Sequence, residues 1–332
     1  MAIFDNYSSD REPNALSYLR RDLTGCDMKT GCLRFAHRLR FVPVLFVLLL
    51  AVLAWSQTAD DLVLLNVTVT GEYYAPLDVK LTKENFQIFE DKHEQEIQYF
   101  STAETAISLG ILFDVSASMK GEYMDLVEVA RRALIEFLRA CNPQDEVFMM
   151  AFSDHPEMIF EFTPLTAVQG IPHLKTSKRT ALLDAVYFGI EKMQAAHNSR
   201  KVLLIISDGE DNQSHHSQKE IRERLRETDV QFESICILDP RMPMPLAMNG
   251  PQLLSSITDP TGGATVCADP NGLLDAAKRL AAVLRNQYVL GYRSKNTVRD
   301  RGWRKIEVKL VKAKGTKASH VYYKAGYYPP SP

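Results

Sequence analysis

A chain of 332 residues with 45% hydrophobic and 24% charged residues is long and apolar enough for a sizeable core, and at about 150 residues per domain it has room for two domains. That balance excludes a disordered chain. A formal net charge of −2 supplies neither the basic field that nucleic-acid binding draws on nor the acidic excess of a solvating tail.

The N-terminus carries an address. Arg34, Arg38 and Arg40 precede the apolar run FVPVLFVLLLAVLA, from Phe41 to Ala54. The run falls short of the ~20 apolar residues of a membrane span but suits the core of a secretory signal. Ala54-Trp55-Ser56 then places small residues at the −3 and −1 positions of a cleavage site, leaving Gln57 as the mature start. The residues before Met28 are polar, and Met28 itself is an alternative start. An uncleaved N-terminal anchor is the competing reading, and either way the body is exported.

From Leu62 to about Phe100 the chain alternates apolar and polar residues with period two: LVLLNVTVT, FQIF and IQYFS read as strands. At Ala106 the character changes. ISLGILF is a continuous apolar run, as expected of a parallel strand buried on both faces. EYMDLVEVARRALIEFLRA follows as a helix, with Tyr123, Val127, Ala130, Leu134 and Phe137 or Leu138 on one stripe, stopped by Asn142-Pro143. EVFMMAF, MIFEF, KVLLIIS and QFESICIL read as strands; TALLDAVYFGIEKMQ, SQKEIRERLRET and LLDAAKRLAAVLRNQ read as helices. The Pro- and Met-rich stretch from Asp239 to Gln252 reads as a loop. Strands alternating with helices imply a mainly parallel, doubly wound sheet with helices on both faces. Beyond Gln287, YVLGYRS, WRKIEVKLV and HVYYKAGYY return to strand character, with Ile306, Val308 and Leu310 on one face. Neither β piece buries much alone, so the two are expected to pack together into a small sandwich. The organisation expected is a leader at 1–56, an N-terminal β segment at 57–104, an α/β domain at 105–286, and a C-terminal β segment at 287–332.

In ILFDVSASMKG, Asp114, Ser116 and Ser118 follow the first buried strand. Residues two apart on a continuing strand would stand about 6–7 Å apart, too far for one ion, so the chain must curl there if they are to converge. One carboxylate and two hydroxyls then meet. These are hard oxygen donors of the kind Mg²⁺ takes at about 2.0–2.1 Å, keeping several waters. Open α/β sheets hold their ligands at the carboxyl ends of strands. Thr180, opening TALLDAV, and Asp208, directly after KVLLIIS, reach that same edge.

This pattern resembles the metal-ion-dependent adhesion site of von Willebrand factor A domains. The D-x-S-x-S motif is matched by Asp114-Val115-Ser116-Ala117-Ser118, the isolated threonine by Thr180, and the strand-end aspartate by Asp208. The resemblance implies a Rossmann-like domain whose hydroxyls coordinate an ion directly or through water. The aspartates complete or back that sphere, and an open position accepts an acidic side chain of a partner protein. From about Leu62 to Tyr328 the order of segments is also similar to bacterial VWFA-related proteins common in acidobacteria. Lys178-Arg179 stands where glycines often precede the threonine, a departure that would lower ion affinity or reach toward an acidic ligand.

Other features take plainer readings. Asp114 and Asp208 would also serve as helix caps without any metal. Asp184 reads as a helix residue bonding the site's loops, and Glu210 and Asp211 as a solvated loop. His93-Glu94 fails as a zincin motif because Ile97 stands where the second histidine belongs. His215 and His216 read as surface residues. Met242, Met244 and Met248 could offer thioethers to Cu(I), a soft ion, but with no His or Cys beside them they read as a flexible loop. Arg293, Lys295, Arg299, Arg301, Arg304 and Lys305 read as a solvated basic face, and Asn66 opens a chance glycosylation sequon. Cys26, Cys32, Cys141, Cys236 and Cys267 are too irregularly spaced for a zinc site or disulfide framework and read as buried or semi-buried thiols.

The expectation is therefore an exported, non-enzymatic binding module. It takes Mg²⁺, with Mn²⁺ or Ca²⁺ as alternatives, and holds a protein ligand through an Asp or Glu carboxylate. No histidine falls in the metal motifs and no P-loop is present, so neither a nucleophile–base pair nor a nucleotide is expected; nucleic acid is not expected either. Contact with a membrane would come only through an uncleaved leader. The rivals are a metal-assisted hydrolase and a structural envelope subunit with a non-functional site.

Overall fold

The computed structural model describes residues 62–102, 105–120, 124–239, 248–298, 300, 302–311 and 319–329. The leader at 1–56 with its cleavage after Ser56, Tyr123, Met242, Met244, Arg299 and Arg301 lie outside them. Among the described residues no helix is long and apolar enough to cross a membrane.

The chain opens with β1 (Leu62–Thr70), β2 (Phe86–Glu90), β3 (His93–Gln95) and β4 (Ile97–Thr102). The α/β part then runs β5 (Ile107–Asp114), α1 (Leu126–Ala140), β6 (Glu146–Phe152), β7 (Pro156–Pro164), α2 (Leu182–Lys192) and β8 (Arg200–Ser207). It continues with α3 (Gln218–Glu227), β9 (Gln231–Ile237), α4 (Asn249–Thr258), β10 (Thr265–Ala268) and α5 (Leu273–Arg285). Four strands close the chain: β11 (Tyr288–Arg293), β12 (Arg304–Leu310), β13 (His320–Tyr323) and β14 (Gly326–Tyr327).

The central sheet has the order β10-β9-β8-β5-β6-β7, parallel throughout except for the antiparallel edge strand β7. Every residue of β5 is buried, which is why its sequence is apolar without alternation. Helices cover both faces. On one, Val127, Ala130, Leu134 and Phe137 of α1 and Leu273, Ala277 and Leu280 of α5 pack on Ile111, Phe113 and Leu204. On the other, Leu182 and Val186 of α2, Ile221 of α3 and Leu254 of α4 pack on Leu112, Leu203 and Ile205. The doubly wound α/β fold expected from the alternation is what the chain adopts. Asp125 starts α1 by accepting the Glu128 amide at 3.2 Å, and Ser217 and Glu220 form a capping box on α3.

Two further sheets flank this unit, in the orders β13-β1-β11-β4 and β14-β12-β2-β3. Strands from both ends of the chain are thus interleaved, β1 pairing with β11 and β2 with β12. One core fills the space between the sheets: Leu65, Val67 and Val69 of β1 meet Ile88 of β2, Leu290 and Tyr292 of β11, and Ile306 and Val308 of β12. The sandwich is tied to the α/β part through polar contacts. Tyr74 Oη donates to Glu233 at 3.1 Å, Gln287 donates to Thr68 Oγ1 at 2.7 Å, and Lys324 Nζ donates to the Thr228 carbonyl at 2.6 Å.

Three readings need correction. The stretch from Asp239 to Gln252 is not all loop: α4 starts at Asn249, and β10 adds an edge strand. A helix containing Gly250 and Pro251 carries weak propensity, but proline is tolerated in a first turn. Arg304 is buried rather than solvated, held by Glu90, Ser294 and the Asn296 carbonyl. Cys267 is exposed, whereas Cys236 is buried and Cys141 half-buried.

Candidate metal centre

At the carboxyl end of β5 the chain leaves the strand as the sequence requires. Val115 still donates to the Phe152 carbonyl at 2.9 Å, and a 3₁₀ turn follows at Ala117–Lys120, closed by Met119 N–H on the Ser116 carbonyl. This turn brings Ser116 Oγ and Ser118 Oγ to 3.0 Å. Asp114 lies beneath them, fully buried, its Oδ1 accepting the Ser116 amide at 2.8 Å and its Oδ2 accepting the Ser207 hydroxyl at 2.5 Å.

Asp208 follows Ser207 at the end of β8 and caps its own loop through the Glu210 amide at 3.0 Å. The bend at Gly209 has φ of +85°, a left-handed conformation that suits glycine. There the backbone passes against Gly250 at the start of α4: a Cβ on Gly209 would stand 2.4 Å from the Gly250 oxygen, and one on Gly250 1.9 Å from the Asp208 oxygen. The position of Asp208 is therefore set by backbone-to-backbone packing.

Thr180, also buried, is fixed by its main chain at the same edge. Its amide donates to Asn212 Oδ1 at 3.0 Å and its carbonyl accepts the Asn212 and Gln213 amides, which stitches it to the loop that Asp208 begins. On either side of it Ser177 N–H bonds the Val115 carbonyl and Ala181 N–H bonds the Ser153 carbonyl. The helix itself starts two residues later than Thr180, at Leu182. All five predicted residues thus stand at one sheet edge, and Asp114, Ser116 and Ser118 are joined through direct hydrogen bonds.

The electrostatics are those of a site short of positive charge. Burial, then the neighbouring charge of Asp208, pushes the Asp114 carboxyl up to about 7 against the pull of its hydrogen bonds. Glu210 is raised by partial burial and by the same Asp208 charge. Among the described residues no Lys or Arg pairs with Asp114 or Asp208. Lys178 and Arg179 are exposed, and the Arg179 guanidinium is engaged with Gln213. The residues fit a hard divalent cation: two carboxylates and three hydroxyls, all oxygen, with no nitrogen or sulfur among them. No cluster of three or more His, Cys, Asp or Glu placed for a metal occurs among the described residues.

The supporting loops behave more specifically than the sequence suggested. Asp184 accepts the His215 and His216 amides at 2.9–3.1 Å and both Nδ1 atoms at 3.0 and 2.7 Å. Although burial works against ionisation, those hydrogen bonds together hold its carboxyl down at about 2. The two histidines face one carboxylate rather than one ion, and His216 is not a free surface residue: its ring stacks on Tyr187 at 3.9 Å. Asp211 is also a pin, accepting the Leu183 amide at 3.3 Å and the Ser214 hydroxyl at 2.5 Å. Ser207 and Asn212 escaped the sequence reading. The signal for Ser207 was a hydroxyl ending a strand buried along its whole length, where it must find a partner.

Residues 109–259 match the family model of the von Willebrand factor type A domain. No curated protein matches the chain. Among solved structures it is similar to the conserved hypothetical protein BatB from Bacteroides thetaiotaomicron, at 15% identity over 55% of this chain and 100% of that one, with a TM-score of 0.41. The ArnB paralog VWA2 from Sulfolobus acidocaldarius shares 13% identity over 82% of this chain and 76% of its own, with a TM-score of 0.45. A von Willebrand factor type A protein from Catenulispora acidiphila shares 10% identity over 82% and 75%, with a TM-score of 0.46.

Proposed function

Residues 109–259 belong to the von Willebrand factor type A family, and on that premise we propose that this chain is an exported protein-binding module. It holds one divalent cation, Mg²⁺ before Mn²⁺ or Ca²⁺, through Asp114, Ser116, Ser118, Thr180 and Asp208. The observation that carries this reading is Asp114. A carboxylate taken wholly out of water beside a second carboxylate, with no basic partner among the described residues, is costly unless a cation completes the set. Two serine hydroxyls 3.0 Å apart above it supply neutral oxygens to the same place.

A bound cation supplies an electrophilic centre that takes a carboxylate oxygen from outside. The chain's own groups do the rest. Asp114 and Asp208 together carry two negative charges, enough to retain a divalent ion without exceeding its charge, while the hydroxyls add none. Ser207 and the Ser116 amide orient Asp114, and the Gly209–Gly250 contact positions Asp208. Lys178 and Arg179, exposed beside Thr180, add positive charge around the mouth that favours an acidic partner. Nothing in this arrangement pairs a nucleophile with a base, so holding a partner is its chemistry rather than turning one over.

Calorimetry with Mg²⁺ and Mn²⁺ on the wild type and Asp114→Ala tests the first step. Retention of a partner from envelope extract with Mg²⁺, and again with chelator, tests the second. Heat of binding in the wild type alone, and retention lost with chelator, is expected. Partner binding that survives both chelator and Asp114→Ala would remove the ion as the bridge. Export is tested by sequencing the N-terminus of the mature protein, expected at Gln57.

A further inference from the structure

The last two parallel strands set Cys236 of β9 directly opposite Cys267 of β10. Register partners point to the same face, and neighbouring strands lie about 4.7–4.9 Å apart. That spacing falls inside the Cα window of about 4.4–6.8 Å that a disulfide spans. The two thiols stand close enough to perturb one another. This contact lowers the Cys267 thiol below its ordinary range; the same contact together with burial drives the Cys236 thiol far up. Access is equally divided, Cys236 being buried while Cys267 is exposed on the edge strand of the sheet. Cys141 shows the contrast: half-buried after α1, its thiol is pushed up to about 12 by burial and by Asp145.

We propose that Cys236 and Cys267 are a redox-active dithiol that closes to an intramolecular disulfide by exchange with an external disulfide. Cys267, exposed and the better thiolate, attacks one sulfur of R–S–S–R, forming a mixed disulfide and expelling RS⁻, which takes up the proton that Cys267 released. Cys236 then attacks the Cys267 sulfur, expelling the second RS⁻, and its own proton passes to that leaving group. Two protein thiols are oxidised to one disulfide, and one external disulfide is reduced to two RSH. The exposed cysteine attacks and the buried one resolves.

The bond would close the segment 236–267, which contains α4. The start of α4 is the backbone wall against which Asp208 and Gly209 rest. Oxidation therefore ties together covalently the two strands that bracket α4, and stabilises the fold by restricting the unfolded chain.

The test uses the full chain incubated with oxidised or reduced glutathione, followed by alkylation under denaturing conditions and a non-reducing digest. Expected are a peptide joining Cys236 to Cys267, two thiols lost to alkylation, Cys141 still alkylated, and a melting temperature several degrees higher. Cys267→Ser, which replaces an exposed side chain, should leave Cys236 reduced and remove the rise in melting temperature. Cys236→Ser should stop at a mixed disulfide of glutathione on Cys267. Wild-type protein that accumulates that mixed disulfide without closing, or in which both thiols stay fully alkylatable, would overturn the proposal.

Discussion

Ser207 donates its hydroxyl to Asp114 Oδ2 at 2.5 Å, across the boundary between β8 and β5, while accepting the Gly209 amide at 2.9 Å. One buried hydroxyl thus fixes the orientation of the deepest acid of the centre and the start of the loop that carries Asp208. Ser207→Ala leaves both groups short of a partner, at a cost of about 1–3 kcal/mol in stability. Because it removes an outer partner of the proposed ligand Asp114 and loosens the start of the loop that carries Asp208, Mg²⁺ affinity should fall by about 10–100-fold. Calorimetry and urea unfolding read the two effects separately. An unchanged affinity with lowered stability would reduce Ser207 to a packing role.

Glu233 makes stability depend on pH through the junction of the sandwich with the α/β part. It is completely buried on β9 and accepts from Tyr74 Oη at 3.1 Å, Gln231 at 2.6 Å and the Ala264 amide at 3.0 Å. Burial outweighs those bonds and pushes its carboxyl up to about 7. A raised acid binds its proton more tightly in the native state than in the unfolded one. Its contribution is therefore complete below the unfolded value of 4.5 and is lost as pH rises through about 7. Stability should decline over that window by on the order of 3 kcal/mol. Glu233→Gln should flatten the decline, and chemical unfolding at a series of pH values in chelator measures it. An equal slope in both proteins would place the titration elsewhere.

The sequence displayed the sheet and its site for the same reason: buried parallel strands are written as unbroken apolar runs, and the residues that end them are polar. ISLGILF stops at Asp114 and KVLLIIS at Asp208, so two of the proposed ligands were legible as the polar residues that end two strands. What stayed hidden depends on partners distant in the chain. Arg304 read as one more solvated cation because Glu90, its counter-charge, lies 214 residues away. The helix at Asn249–Thr258 escaped because its first turn holds Gly250 and Pro251, and its stability comes from burying Leu254 and Ile257 rather than from propensity. Cys236 and Cys267 looked unrelated at their spacing, and only the β9–β10 register brings them together.

The Glu90–Arg304 pair tests how far the sandwich depends on a buried charge. Both side chains are at most 5% exposed, with the closest N–O approach at 3.4 Å. Glu90 also accepts the Tyr292 and Tyr327 hydroxyls at 2.8 and 2.9 Å. Glu90→Ala strands a guanidinium in the core together with two phenols, and should destabilise by about 3–5 kcal/mol. Adding Arg304→Met should recover part of that loss, because the unpaired charge is gone. Urea unfolding of the single and double variants decides the matter. A double variant no more stable than the single would mean that lost packing, not stranded charge, sets the cost.

Gly250 offers a way to move Asp208 without touching it. The first turn of α4 meets the Asp208–Gly209 backbone so closely that a Cβ at position 250 would stand 1.9 Å from the Asp208 oxygen. Neither side is a flexible side-chain tip, so the backbone itself must separate. Gly250→Ala should therefore displace the loop that presents Asp208, and a proposed ligand shifted by a large fraction of an ångström binds its ion poorly. Mg²⁺ affinity should drop by about tenfold or more, with a smaller loss of melting temperature. Gly272→Ala, where the nearest atoms are 3.4 Å or farther from the added Cβ, is the matched control and should leave Mg²⁺ affinity unchanged. If Gly250→Ala kept full Mg²⁺ affinity while Asp114→Ala abolished it, Asp208 would have to be removed from the proposed ligand set, leaving the β5 turn to hold the ion with Thr180.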